Sequence, residues 1–460
     1  MARAARAAFE RLIAEVPEPE LVQILCGPGN NGGDGWLLAM LCVGRGLPTR
    51  VFRVGGGPRS EDAVLASERA RDAGIDAADY SSGALSSRGL VIDAMLGTGL
   101  AGAPREAYAK AIREVNDLGL PVLALDIPSG VNADTGHAYG DAIQATWTLS
   151  FITAKRGLYT GAGRRWAGAV SVDDLGVPDG AYGAVDSPVE RLKASASTAF
   201  LPPRPLQAHK GDLGRCLLIG GDLGMGGALI LAAEAALRCG VGLARAATRP
   251  EHTPALLARR PECMVLPVTH RNHLGPFLSW ASALALGPGL GQQPWGAQLL
   301  HAALRADRPM VLDADALNLL AQRAQWPLPP SCVITPHPGE AARLLGTTAA
   351  DIEKDRFAAA QTLAQRCGAT VVLKGPGTVI VGASGTALCD AGNPGMASGG
   401  MGDVLTGVIA ALLAQGLEPE AAARRGVLLH SHAADLAAQS RGVTALLASD
   451  VIDAMGELLP

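Results

Sequence analysis

From residue 21 onward, apolar runs of strand length alternate with stretches of helical spacing. Runs at 21–26, 49–54, 90–94, 122–127 and 145–151 are short, and Gly or Pro flanks most of them on at least one side. Short continuous apolar runs between turn signals predict strands buried on both faces. Between them, residues 34–44, 62–73 and 106–118 carry apolar positions three and four apart, which predicts helices. Strands alternating with helices predict a parallel, doubly wound sheet, because each parallel connection needs a crossover. A second series of strand-like runs lies at 216–220, 281–287, 310–313, 332–335, 370–374 and 379–381, and predicts a second α/β domain.

Between the two series, Pro188, Pro202, Pro203 and Pro205 surround a Ser/Ala tract. Proline lacks a backbone donor and continues neither a helix nor a central strand. The chain therefore divides into a domain at residues 1–188, a linker at 189–204 and a domain at 205–460. Glycine-rich turns occur in both halves with different spacing and neighbours, so the chain is two unlike domains and not a repeat.

Composition narrows the function classes. With 48% hydrophobic and 18% charged residues, the chain can bury large cores, and disorder is excluded. The balance of 39 Lys+Arg against 43 Asp+Glu gives a net charge of −4, which offers no basic footprint for nucleic acid. Only 4% of residues are aromatic, too few for a stacking platform. The 8 cysteines form no CxxC pair and read as reduced, small apolar residues of a cytoplasmic protein. The N-terminus has no continuous apolar region of a signal peptide. The best apolar helix, residues 404–413, falls well short of the ~20 residues needed to span a bilayer. A soluble protein with no membrane partner is expected.

The chemistry concentrates where strands end. The run Leu25-Cys-Gly-Pro-Gly-Asn-Asn-Gly-Gly-Asp34-Gly follows a strand and precedes a helix. Its glycines let backbone amides approach a phosphate, and the helix start adds positive potential. Asn30 and Asn31 add carbonyl oxygens suited to a cation. The next two strand ends carry Asp93 with Gly97-Thr-Gly-Leu-Ala-Gly102, and Asp126 with Ser129. Each aspartate alone is a candidate helix cap, but three such turns converge at the carboxyl edge of an open sheet, where ligands bind.

In the second half, HKGDLG at 209–214, GPGLG at 287–291, LDADALN at 312–318, TPHPGE at 335–340, KGPGT at 374–378 and GNPGMASGGMGD at 392–403 punctuate the strands. The last opens an apolar helix, so free amides at its N-terminus can stabilise charge on a transferring phosphoryl group. Asp403 in that first turn is placed to take a proton from a substrate hydroxyl. His337 lies between two prolines at a strand end beside Glu340, a placement that favours function over structure. Asp313 and Asp315 alternate at a strand end; one can approach Mg2+ or phosphate while the other caps the helix of Asn318. His430 and His432, two apart on a helix, point to different faces and read as structural.

The series NNGGDG, IDAMLGTGLAG, DIPSGVNADTG and Thr153-Ala-Lys155-Arg-Gly-Leu resembles the N-terminal domain of the NAD(P)H-hydrate repair proteins, the NAD(P)HX epimerases, over roughly residues 20–180. That family binds K+, and the resemblance implies Asn31, Asp93 and Ser129 as its ligands. It further implies that the hydrate contacts Asn30, Asn31, Gly32, Gly33 and Asp34, then Gly97, Thr98, Gly99, Leu100, Ala101, Gly102 and Ala103, and Asp126. Asp126 and Lys155 are the candidate acid/base partners. One departure stands out: the family carries an extra segment before a helix with an Ala-Gly pair, and here that helix starts at Met1 with Ala4-Ala5 in place of the pair.

The second series is similar to the ribokinase-like fold, and within it to the ADP-dependent NAD(P)HX dehydratases, over about residues 205–458. HPGE and KGPGT distinguish it from sugar kinases. The resemblance implies that Ala228, Gly289, His337 and Asp403 contact the hydrate, and that Lys374, Gly375, Pro376, Gly377, Thr378 and Gly402 hold the adenine nucleotide, with Mg2+. The expected fold is a Rossmann-like doubly wound domain followed by a ribokinase-like α/β domain. The expected function is repair of NADHX and NADPHX at the expense of ADP, by a homo-oligomer. Two readings compete. A ribokinase-type hydroxyl kinase would use the same Asp403 and glycine turn, and the first domain could serve as a nucleotide-binding scaffold alone.

Overall fold

The computed structural model describes residues 1–183, 189–194, 200–201, 204, 206–323 and 327–459, with the side chain of residue 323 excepted. The chain forms two compact units, Met1–Ser187 and Pro188–Pro460.

The first unit is built on a sheet of strands β1 (Val22–Cys26), β2 (Thr49–Arg53), β3 (Ala77–Asp79), β4 (Leu90–Ala94), β5 (Val122–Leu125), β6 (Trp147–Phe151) and β7 (Ala169–Asp173). All pairings are parallel, in the order β3-β2-β1-β4-β5-β6-β7. The order reverses at β1, so the turns after β1 and β4 diverge and leave a crevice between them. Alternate strand residues serve opposite faces. Ile24, Cys26, Ile92 and Ala94 join a core with Ala4, Ala8 and Leu12 of helix Ala2–Glu15 and Leu38 and Cys42 of helix Asn30–Gly44. Leu25, Val91 and Ala124 pack on the other side with Tyr108, Ile112 and Val115 of helix Glu106–Leu118.

The five long runs read from sequence are β1, β2, β4, β5 and β6. The short edge strands β3 and β7 carry partly exposed residues and too little apolar pattern to be read. The helix expected from residue 34 begins at Asn30, with Gly29 extended as its cap. Gly32 is the reason: a Cβ there would lie 1.9 Å from the Gly27 carbonyl oxygen, so only glycine lets the helix start so close to the strand end.

The second unit holds β8 (Val189–Leu192), β9 (Arg215–Ile219), β10 (Leu243–Thr248), β11 (Met264–Pro267), β12 (Ala283–Leu286), β13 (Met310–Leu312), β14 (Cys332–Ile334), β15 (Thr370–Leu373), β16 (Thr378–Gly382) and β17 (Gly385–Cys389). They form one sheet in the order β11-β10-β9-β12-β13-β14-β15-β16-β17-β8. Only β16 runs antiparallel to its neighbours. The stretch expected to be a linker therefore contributes a strand. β8 pairs with β17 at the sheet edge, where one ladder suffices, and Phe200 and Leu201 are buried in the core. The prolines flank that strand and do not interrupt it.

Helix Met401–Ala414, buried along nearly its whole length, packs against helix Gly226–Arg238 and carries Asp403. Among the described residues no helix is long and apolar enough to cross a membrane. All the cysteines are free and buried, and burial pushes the Cys42, Cys239 and Cys263 thiols up to about 12.

The contact of the two helices depends on Gly407, where a Cβ would lie 2.1 Å from the Ala232 carbonyl oxygen. Gly407→Ala should lower the stability of the second unit by about 1–3 kcal/mol through overpacking, read as an earlier denaturant midpoint.

Candidate active sites

In the first unit the turns after β1, β4 and β5 meet around a cavity of about 520 Å³. It is lined by Pro28, Gly29, Asn30, Asn31 and Asp34 from the first turn, Ser60, Met95 to Leu100 from the β4 turn, and Asp126. A hydrogen-bond chain joins the three turns. Asn31 Nδ2 donates to the Leu96 carbonyl (2.8 Å), and the Leu96 N–H donates to Ser129 Oγ (2.9 Å). Ser129 in turn donates its backbone N–H (2.7 Å) and its hydroxyl (2.6 Å) to Asp93. Asp93 is wholly buried; burial pushes its carboxyl up to about 6, opposed by those bonds and by the Met95 N–H. The structure thus brings Asn31, Asp93 and Ser129 together.

The Asn31 Oδ1 is buried without a hydrogen-bond partner, and no ion pair reaches Asp93 among the described residues. An orphaned amide oxygen beside a buried carboxylate and a serine oxygen is a donor set suited to a hard cation. The described residues contain no group of three or more His, Cys, Asp and Glu placed to hold a metal ion.

Asp126 takes a left-handed backbone conformation (φ 67°), a strained setting for a non-glycine residue. Its Oδ1 accepts the Phe151 N–H (3.1 Å) and pairs with the Lys155 ammonium, which also donates to the Phe151 carbonyl (2.6 Å). Asp34 is buried, with Oδ1 free of hydrogen bonds, and burial pushes it up to about 7. Gly32 and Gly33 do not line the cavity: the first abuts the Gly27 backbone and the second the Met1 side chain. Ala101, Gly102 and Ala103 continue the β4 turn beyond it. Ser60 is a lining residue that the sequence did not mark. Its N–H donates weakly to the Pro28 carbonyl (3.4 Å), a contact between distant loops with no local signature.

In the second unit the ends of β13, β14 and β15 meet the start of helix Met401–Ala414. Asp313, buried just past β13, accepts the Thr406 hydroxyl (2.9 Å) and pairs with Lys374 from the end of β15. Lys374 Nζ lies 3.9 Å from Glu340. A Cβ on Gly402 would stand 3.4 Å from both Asp313 Oδ2 and Lys374 Nζ, so glycine lets the helix start close over the ion pair. Burial pushes the Asp403 carboxyl up to about 7; the Asp313, Asp315 and Glu340 carboxylates add to this and Lys374 opposes it.

The structure ties Lys374, expected to hold the nucleotide, to carboxylates. Gly375, Pro376, Gly377 and Thr378 form the turn between β15 and β16. Beneath it the fully buried Arg356 donates to the carbonyls of Leu373 (3.2 Å) and Lys374 (3.1 Å), and a Cβ on Gly375 would meet its guanidinium at 2.9 Å. His337 caps helix Pro338–Leu345: its Nδ1 accepts the Gly339 N–H (3.0 Å), and Glu340 accepts the His337 N–H (2.8 Å). Burial and then Lys374 hold the half-exposed imidazole below its usual range. Gly289 and the loop leading to Ala228 are joined through the Asp222 N–H, which donates to the Gly289 carbonyl (2.6 Å). A Cβ on Gly287 would lie 1.8 Å from the Asp313 carbonyl oxygen, which sets the 287–291 turn against the acidic cluster. Asp315 is engaged by that turn, accepting the Gly291 N–H (2.9 Å).

Two contributors escaped the sequence reading. Thr406 sits one helical turn beyond Asp403. Asp435, on helix Pro419–Arg441, accepts the Gly392 N–H (2.8 Å) and the Asn393 amide (3.0 Å), and so anchors the start of the glycine-rich turn. His430 is buried and pushed down to about 4 by burial and by Lys374, while the His432 ring lies 6.5 Å from Phe200.

Comparison with known proteins bears on both units. The model of the family described as NAD(P)H-hydrate dehydratase matches residues 216–456, and that described as YjeF-related protein N-terminus matches residues 1–157. A bifunctional NAD(P)H-hydrate repair enzyme of Coxiella burnetii is 44% identical over 457 residues, covering 98% of this chain and 92% of its own. An ADP/ATP-dependent NAD(P)H-hydrate dehydratase from Bacillus subtilis, crystallised with ATP and Mg2+, is 32% identical with a TM-score of 0.51, covering 56% of this chain and 93% of its own. A ribokinase-like superfamily protein from Enterococcus faecalis is 30% identical with a TM-score of 0.54, over 60% of this chain and 96% of its own. Matched along nearly its whole length, the chain belongs to the family of bifunctional NAD(P)H-hydrate repair enzymes, with an epimerase unit followed by a dehydratase unit.

Proposed function

We propose that the dehydratase unit turns the hydroxyl of the S hydrate into a leaving group by phosphorylating it from ADP, with Asp403 as the base. The observation that carries this is Asp403 in the first turn of helix Met401–Ala414, raised toward neutrality among the Asp313, Asp315 and Glu340 carboxylates and Lys374. Asp403 takes the hydroxyl proton as the oxygen attacks the phosphoryl group. Phosphate then leaves with the C–O electrons, a proton departs from the neighbouring ring carbon, and the dihydropyridine is restored. The amides of Gly399 to Gly402 face the charge that develops on the phosphoryl oxygens. Lys374, held by Asp313, serves as a fixed positive charge beside the transferring group. Ala228, Gly289 and His337 contribute the hydrate surface, and Gly375 to Thr378 the nucleotide surface. Four carboxylates around one ammonium leave excess negative charge, which fits Mg2+ carried in on the phosphates, with Asp313 and Asp315 the nearest candidate ligands. When bound, that ion neutralises phosphate charge.

In the epimerase unit, Asn31 Oδ1, Asp93 and Ser129 Oγ fit K+, which when bound supplies positive charge beside the β4 turn. The amides of Asn30 and Asn31 at the helix start and the Gly97–Leu100 turn receive the pyrophosphate of NADHX or NADPHX. Asp126, ion-paired with Lys155, exchanges protons at the hydrated carbon. The free, buried cysteines agree with work in the reducing cytoplasm.

Asp403→Asn should lower NADH recovery from the S hydrate about 10²–10⁴-fold, with nucleotide affinity retained. Because Asp403 must be ionised to accept a proton, recovery should rise with pH through about 7 and level off above it. Recovery by Asp403→Asn at the wild-type rate removes it as the base. Exchanging K+ for a large organic cation should lower the thermal midpoint of the first unit, and added K+ should restore it. Asn31→Ala should abolish that response; an unchanged K+ shift in Asn31→Ala refutes the assigned donor.

A further inference from the structure

The epimerase cavity contains a second carboxylate that the Asp126–Lys155 pair leaves unused. Asp34 is buried on helix Asn30–Gly44 and lines the same cavity as Asp126. Its Oδ1 is buried without a hydrogen-bond partner and pairs only loosely, at 3.8 Å, with the Met1 amino group. A carboxyl so buried and so weakly paired is made tolerable by a proton on the group. Asp126 is in the contrasting state, paired with Lys155 and accepting the Phe151 N–H. The two line one cavity of about 520 Å³, Asp34 from helix Asn30–Gly44 and Asp126 from the turn after β5, with the β4 strand between the strands that lead to them, and the Asp126 carboxylate bears on Asp34.

The substrate's chemistry asks for two such groups. Water adds to a dihydropyridine so that the hydroxyl stands on the ring carbon beside nitrogen, and inversion there requires oxygen to leave one face and arrive at the other. We propose that Asp34 is a second catalytic residue of the epimerase unit, giving a proton to the hydroxyl that leaves one face of the ring while Asp126 takes a proton from the water that adds to the other. As the C–O bond breaks, the nitrogen lone pair forms a C=N bond and the hydroxyl departs as water with the Asp34 proton. The incoming water oxygen bonds the same carbon, the C=N electrons return to nitrogen, and its extra proton passes to Asp126. In the reverse direction the two carboxyls exchange roles. Burial pushes Asp34 up to about 7, the Asp126 and Asp62 carboxylates push the same way, and the Met1 amino group opposes them, so a protonated Asp34 is available near neutrality.

This inference rests on Asp126 acting at the hydrated carbon, and the test separates the two. The full chain is given R hydrate in ¹⁸O-labelled water in two runs: with ADP, where inversion is followed as NADH released through the dehydratase unit, and without nucleotide, where the S hydrate accumulates and its label is read by mass spectrometry. Wild type should carry solvent oxygen in every inverted molecule. Asp34→Asn should invert about 10²–10⁴-fold more slowly, with S-hydrate turnover and the K+-dependent midpoint of the first unit retained. Asp34→Glu should recover part of the rate. The decline of inversion as pH rises through about 7, expected where a donor must stay protonated, should vanish in Asp34→Asn. Inversion by Asp34→Asn at the wild-type rate, with Asp126→Asn inactive, overturns this proposal and leaves the role of Asp126 standing. Loss in Asp34→Asn with Asp126→Asn fully active overturns both. Inversion by wild type without label overturns the step whatever the variants do, and so holds even if Asp34→Asn fails to fold.

Discussion

A carboxylate carried into the protein at a central parallel strand has lost its water, and each unit is organised around replacing that solvation. Asp93 lies on β4 between β1 and β5, wholly buried. Hydrogen bonds from Ser129 and Met95 take the place of water, and because Ser129 follows β5, satisfying Asp93 fixes the β5 turn against the β4 turn. Leu96, bonded to both Ser129 and Asn31, adds the turn after β1. In the second unit the replacement is a charge. Asp313 takes Lys374 from the end of β15 and Thr406 from helix Met401–Ala414, so one buried carboxylate sets the spacing of three elements. Removing one partner of such a pair leaves an uncompensated buried charge, typically about 3–5 kcal/mol. Site geometry and stability are therefore the same property here.

The alternation of apolar runs made the doubly wound architecture legible, because central strands buried on both faces must be continuous in apolar residues. What stayed hidden was built from small or edge residues. β10 reads Leu-Ala-Arg-Ala-Ala-Thr and is nearly as buried as β9, yet its contribution is space for the helices packed on it, which no periodicity records. β8 was concealed among prolines that lie outside the strand. The glycines at the start of helix Asn30–Gly44 suggest a turn, whereas Gly32 marks close approach to Gly27.

Site residues at strand ends were legible because topology delivers strand ends to one place. Asp93, Asp126 and Lys374 all meet partners there. Ser60, Thr406 and Asp435 were not, since their meaning is a contact across the fold with no local pattern. A motif also marks a position without saying what the side chain holds. His337 sits where the pattern pointed, yet its ring caps its own helix and its neighbour Glu340 completes the box. Lys374 opens the KGPGT run, yet its ammonium is committed to Asp313.

The two sites pose opposite electrostatic problems. In the first unit Lys155 pairs with Asp126, but the groups around the β1 and β4 turns are short of positive partners. Asn31 Oδ1 is an acceptor without a donor, Asp93 has hydrogen bonds but no counter-charge, and Asp34 is raised by burial. These groups leave the internal bonding of the wall unfinished, which is the setting in which a hard cation would be stabilised. The second site is already paired within itself through Lys374, and its surplus is negative: Asp313, Asp315, Glu340 and Asp403 all bear on one another. Phosphates entering that field would raise the like charge further. A proton taken up by Asp403 would remove a negative charge from the cluster and weaken that repulsion. The carboxylates that would oppose phosphate entry are thus the same ones that, with burial, raise the Asp403 carboxyl, which ties its basicity to its acidic surroundings.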